Sequence, residues 1–266
     1  MIAYRFFFCL LLLLLASSFA QSQTNSEING RAEILRDTAG APRTGPPKNP
    51  KLSKEAKAFL SPPEDLAVTY KEFLKQKNTG LAKLPPRKEK KSQMLVAADN
   101  PVAHIPTRYG GASYSFSTRK HDDDLGEEII LDKDIYSYPI LGPAFWVSGG
   151  GADIGLITKL GNLDLESVTL DCKQASFLVS FLAPTKESAA REYQRMSSSG
   201  FYADGAFYKR MTQAEENTTY LLRVIRYDRA DVLVAFRTVR KEPDGSFVIL
   251  WKMLKKNPIP TLKNKL

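Results

Sequence analysis

The densest gathering of side chains able to do chemistry is STRKHDDDLGEEIILDKD, Ser117 to Asp134. Seven carboxylates stand there beside His121, one of two histidines in the chain. A calcium loop of the EF-hand type needs oxygen ligands at alternate places, a glycine at the sixth and a carboxylate at the twelfth. With Gly126 as that glycine, His121 takes the first place, Asp123 the third, Leu125 the fifth and Asp132 the twelfth. A histidine and a leucine then occupy oxygen positions. Starting at Asp122 instead puts Glu127 in the glycine place and Lys133 at the end. Both registers fail. A looser calcium or magnesium site built from Asp122, Asp124, Glu127 and Glu128 is the one metal candidate, because clustered like charges gain from a bound cation. The preferred expectation is a solvated loop whose charge Arg119, Lys120 and Lys133 compensate.

Other chemistries lack their local signs. His104 and His121 are seventeen residues apart, so no helical histidine pair exists to hold zinc. GGASYSFS has serines beside glycines but no G-x-S-x-G. A two-carboxylate glycosidase imposes no sequence spacing and nothing points to one. In SGGGADIG, taking Gly149 and Gly151 as the first glycines of a dinucleotide fingerprint puts Ile154 in the third place, and no phosphate-loop lysine follows. A hairpin or bulge is expected there instead. Asn217-Thr218-Thr219 matches a glycosylation acceptor. No catalytic residue and no cofactor is assigned.

The elements that would position such groups begin after an export signal. Arg5 precedes an apolar run from Phe6 to Leu15, and Ser18 and Ala20 supply the small residues of a cleavage site between Ala20 and Gln21. The run is shorter than the roughly 20 apolar residues a spanning helix needs. No transmembrane segment is expected in the mature chain. Cys9 leaves with the signal, so Cys172 has no partner, no disulfide forms, and the thiol is expected to be a small buried hydrophobe.

Residues 21–52 are rich in Pro, Gly and Lys and carry no apolar periodicity, so they are expected to be disordered. Residues 53–80 read as a short helical segment. Ser53 caps the first part; Ser61, Pro62 and Glu64 suggest a capping box for the second, with Leu66, Tyr70, Phe73 and Leu74 on one face and Gly80 past its end. Residues 81–94 read as a basic linker. The globular domain is expected over 95–257, followed by a basic tail at 258–266.

Within that domain ASYSFST, DIYSY, the stretch from Pro143 to Asp171 and ASFLVSFLAP read as strands. A helix is expected from a Thr185 cap to about Met196, with Ala189, Tyr193 and Met196 on its inner face and Gly200 ending it. NTTYLLRVIRY, DVLVAFRTVR and SFVILWKML are joined by DRA and KEPDG. Links so short permit only antiparallel neighbours. The expected fold is α+β: a C-terminal antiparallel β-meander packed against an amphipathic helix, with further short strands before it.

The net charge is +9, and from Lys48 to Lys91 twelve Lys and Arg face five Asp and Glu. Such a surplus attracts anionic envelope surfaces or an envelope protein. Nucleic acid is not expected, since no aromatics interleave with the basic run. The reading leans away from an enzyme. It describes a protein exported to the periplasm or beyond, with a non-enzymatic binding or interaction role and a basic N-terminal arm. The alternatives are a divalent-cation-assisted hydrolase with a site between Tyr109 and Gly155, and a small-molecule or lipid carrier with a pocket between sheet and helix.

Overall fold

Strands whose two faces are both apolar must be covered twice, and that requirement shapes this molecule. The computed structural model describes residues 52–87, 111–121, 128–137, 140–147 and 151–263. The expected signal with Ala20 and Gln21, most of the Pro/Gly-rich segment, His104, Asp122, Asp124 and Glu127 lie outside them. In chain order, helices α1 (Lys54–Leu60), α2 (Glu64–Thr69) and α3 (Lys71–Leu74) lead into strand β1 (Thr79–Leu84). Strands β2 (Ser113–Tyr114), β3 (Ile129–Ser137), β4 (Ile140–Val147) and β5 (Ile154–Gly161) follow. A 3-10 turn, Lys173–Ala175, runs into α4 (Ser176–Ser180), and α5 (Glu187–Ser199) comes next. Last are β6 (Phe201–Ala203), β7 (Ala206–Tyr208), β8 (Met211–Gln213), β9 (Thr219–Arg226), β10 (Ala230–Lys241) and β11 (Phe247–Lys256).

The fold is α+β, and the C-terminal meander β9-β10-β11 is its frame. A five-stranded sheet has the order β1-β11-β10-β9-β5 and a four-stranded sheet the order β2-β3-β4-β8. Every pair is antiparallel. The sheets pack face to face and are stitched at both edges. On one side the Arg87 N–H donates to the Leu131 carbonyl at 2.9 Å; on the other, Lys209 pairs with Ile157 of β5 and the Val147 N–H reaches the Arg210 carbonyl at 3.0 Å. Between them lies an aromatic core that includes Phe116, Phe145, Tyr220, Phe236, Phe247 and Trp251. Val232, Val234 and Phe236 face this core, as their alternation requires, with Phe247, Ile249 and Trp251 beside them.

The opposite face of the meander is also apolar. Leu221, Ile225, Leu233 and Ala235 pack against α4, α5 and Phe73 of α3. The amphipathic helix therefore covers one face of the meander and a second sheet covers the other.

Several expectations need correction. Residues 81–94 were expected to be a linker, yet Thr79–Leu84 is an edge strand paired with β11 over six residues. Residues 53–84 thus belong to the same body as the meander, and the globular domain does not begin at 95. Across β9, β10, β11 and β1 the pairing aligns Tyr220, Phe236, Trp251 and Gly80. A Cβ on Gly80 would lie 2.6 Å from Trp251 Cε2, so glycine lets the indole lie across the edge strand.

Ser53 does cap α1, accepting from the Ala56 N–H at 3.1 Å. Ser61 instead donates back to the Lys57 carbonyl at 2.8 Å, and α2 starts after Pro63 without a side-chain cap. ASFLVSFLAP is a 3-10 turn and helix rather than a strand: Ala175, Leu178 and Phe181 are buried at intervals of three. Helix α5 packs Tyr193 inward against Phe181 as expected, but it buries Ala190 and Ser197 in place of Ala189 and Met196, and Met196 is exposed. Gly200 ends it with φ of 87°. The tail is not free throughout, since the Lys263 N–H donates to the Thr185 carbonyl at 2.7 Å. No helix among the described residues is long and apolar enough to cross a membrane, and Cys172 is unpaired.

Candidate functional site

Most polar groups buried in this fold are consumed by it. Glu128, the described member of the expected cation cluster, is 1% exposed. Its carboxylate accepts from the Phe116 N–H at 2.5 Å, the Ser117 N–H at 3.1 Å and the Ser117 hydroxyl. It therefore pins the loop after β2, and burial nonetheless pushes its pKa up. His121 places Nδ1 2.9 Å from the Gly111 carbonyl and 3.1 Å from that of Ser113, the geometry of a donated N–H, and its ring meets Tyr114 edge-on. Burial lowers its pKa. Both groups hold the strand-to-loop junction where the acidic run begins. Among the described residues no three His, Cys, Asp or Glu gather as metal ligands.

A second buried network sits between the meander and α4. Arg223 and Asp231 are diagonal neighbours across β9 and β10, with Arg223 Nε to Asp231 Oδ1 at 2.9 Å and Nη2 to Oδ2 at 2.7 Å. Arg223 Nη1 donates to the carbonyls of Leu178 and Phe181, both at 2.6 Å, and Asn257 Nδ2 donates to Asp231 Oδ1 at 3.0 Å. Four of the five N–H donors of the guanidinium are used, and the pair ties helix, sheet and C-terminal tail together. This is structural. Cys172 is half-buried near the Thr169 N–H, at 3.2 Å, and among the described residues no histidine contacts it. Gly151, with φ of 65°, lies on the passage from one sheet to the other. Asn217 of the glycosylation match is exposed in a turn with φ of 55°, just before β9.

The hairpin β6–β7 is different. Asp204 and Gly205 take φ of 50° and 77°, the positive pair a two-residue hairpin turn demands. Alternation turns Ala206 and Tyr208 inward and leaves Tyr202 and Phe207 outward, their rings 4.8 Å apart. The hairpin is anchored where the Tyr208 hydroxyl donates to the Gln174 carbonyl and Ser176 Oγ donates to Asp204 Oδ2, each at 2.7 Å. Phe207 lies over Gly200, where a Cβ would be 2.3 Å from its Cζ. Beyond the hairpin Lys209 makes its two backbone bonds to Ile157, at 2.7 and 3.1 Å. No further pairing joins β5 to β7 among the described residues.

The space left between them is an open cavity of about 390 Å³. Thr158, Lys159, Gln174, Phe207, Lys209 and Thr212 contribute its chemistry. Thr158 and Thr212 are buried as residues, but their hydroxyls, bonded to no described residue, are not among the fully buried unpaired atoms and so are open to water. Lys159 Nζ is neutralised by Glu215 at 2.5 Å. Lys209 has no carboxylate partner there; its ammonium lies 5.8 Å from the centre of the Phe207 ring, and burial lowers its pKa. The site thus offers donors beside an apolar wall.

None of these residues was singled out in the sequence. Their chain separation leaves no spacing to find. The hairpin did carry a signal, Asp204-Gly205 between FYA and AFY. No family model, no curated protein and no solved structure matches the chain.

Proposed function

We propose that this is an exported, non-enzymatic binding protein that takes a small molecule in the cavity between β5 and the β6–β7 hairpin. The observation that carries the reading is the pair of unpartnered hydroxyls on Thr158 and Thr212 lining that cavity. Because no protein group occupies them, a ligand that displaces water from the cavity can complete their bonds. The cavity volume of about 390 Å³ lies within the roughly 300–1,000 Å³ range of small-molecule sites. It lies between a strand edge and a hairpin, with Gln174 of the 3-10 turn at its border, and so is not the pocket between sheet and helix expected for a carrier.

Export rests on the sequence of residues 1–20. The basic surplus supports contact with an anionic envelope surface; Lys54, Lys57, Lys71 and Lys75 are exposed on or just after the helices, whereas Lys83 lies in β1 and pairs with Asp244. A melting-temperature screen of small metabolites against the wild type and Gln174→Trp tests the binding reading, because Gln174 is exposed and the indole would fill the mouth. Compounds that raise the wild-type melting temperature and not that of the variant are expected. A screen in which no compound stabilises the wild type, or each stabilises both proteins equally, overturns it.

A further inference from the structure

We infer that the ligand of this cavity is a small organic anion, a carboxylate or phosphate carried on an apolar or ring-shaped body. The inference rests on the binding reading above and adds the chemical class. Each polar side chain lining the cavity can donate a hydrogen bond: the ammonium groups of Lys159 and Lys209, the hydroxyls of Thr158 and Thr212, and the amide of Gln174. No Asp or Glu lines it among the described residues. The two nearby carboxylates are engaged, Glu215 with Lys159 at 2.5 Å and Asp204 with Ser176 Oγ at 2.7 Å.

Lys209 is therefore the cation left over. It is held by its backbone pairing to Ile157, so its position is set by the sheet rather than by a mobile loop. Two hydroxyls and one ammonium lining the same open cavity supply donors of the kind a carboxylate or phosphate group accepts from. A neutral ligand would leave the ammonium unneutralised, and a cation would be repelled by it. Burial that disfavours the charged form of Lys209 is relieved once an anion is beside it. Ile157, Leu160, Ala206 and Phe207 supply the apolar part of the lining, and Phe207, 37% exposed, presents a ring face on which a flat or saccharide body can lie.

Titration calorimetry on the full mature chain tests this with glucose 1-phosphate, glucuronate, inorganic phosphate and benzoate as anionic probes. Glucose and glucosamine serve as the neutral and cationic counterparts. At least one organic anion should bind, with glucose and glucosamine at least tenfold weaker. Losing one charge-assisted contact in Lys209→Met should weaken that anion about tenfold to a hundredfold. Thr158→Val should weaken it by a smaller factor, and both variants should keep the wild-type melting temperature within a few degrees. Preference for glucuronate or benzoate identifies a carboxylate ligand; preference for glucose 1-phosphate identifies a phosphate. Should glucose or glucosamine bind as tightly as the anions, with Lys209→Met indifferent and Gln174→Trp inactive, the anion class is wrong while the cavity reading stands. Anion binding that persists in Gln174→Trp marks loose association with surface lysines and overturns this proposal. No binding by a probe of any charge overturns the anion class as well.

Discussion

Removing the N-terminal helices and β1 should unfold the protein, although the sequence reads as though the domain starts at residue 95. The segment contributes Leu60, Phe73 and Leu84, which are 4%, 5% and 0% exposed. At about 1.5–3 kcal/mol for each buried large side chain, their loss removes roughly 4.5–9 kcal/mol. It also strips the six-residue ladder from β11 and uncovers Trp251, which lies across Gly80. Typical domains have only about 5–15 kcal/mol in total. A chain of residues 95–266 should show no cooperative urea transition, whereas the chain from Gln21 should unfold in one step followed by tryptophan fluorescence and circular dichroism. A cooperative transition of the shorter chain, with its midpoint within about 0.5 M urea of the longer one, would refute the assignment of residues 53–84 to the core, since midpoint shifts scale with lost stability.

Three further outcomes follow from buried contacts. Asp231→Ala leaves Arg223 charged and unpaired beneath α4 and should cost about 3–5 kcal/mol in urea unfolding, while Arg223→Met with Asp231→Leu should cost less; equal losses would contradict the network. Gly80→Ala forces a Cβ against Trp251 and should cost about 1–3 kcal/mol with a red-shifted indole emission; an unchanged melting curve would show that the indole does not lie on β1. Glu128 has its pKa raised above the ordinary 4.5 by burial, so the fold favours its protonated form and loses stability as pH rises from about that value through the folded pKa. Relative to Glu128→Gln, the wild type should therefore grow less stable across that interval; a difference that is constant or of opposite slope would refute the burial. His121 acts in the other direction in both proteins, because its lowered pKa makes stability fall as pH drops below 6.5, so the comparison between variants isolates Glu128.

The meander was legible because two independent signals agreed. Alternation in 230–241 and 247–256 set the faces, and Asp244-Gly245 set the turn, where Gly245 has φ of 83°. The same alternation carried a second message: Leu233 and Ala235 are as apolar as Val232 and Val234, so a single covering layer could not suffice. Strand β1 was not legible. TGLAKL is short, mixed and followed by two prolines, and it is a strand because β11 offers it a ladder, not because its own residues demand one. ASFLVSF shows the opposite ambiguity, as a short apolar run fits a buried helix or a strand equally until length and partners decide. The acidic run drew attention because its carboxylates are adjacent in sequence. The cavity did not, because Thr158, Lys209 and Thr212 meet only through the closure of β5 against the chain after the hairpin.

The central claim, that this cavity is where the protein binds, is tested most directly by backbone amide NMR of the chain from Gln21 titrated with glucuronate and with glucose 1-phosphate. Shifts that saturate together at Thr158, Lys209, Thr212 and the β6–β7 hairpin are the predicted result. Shifts confined to the lysines of α1 to α3, or spread without saturation over the surface, would contradict it.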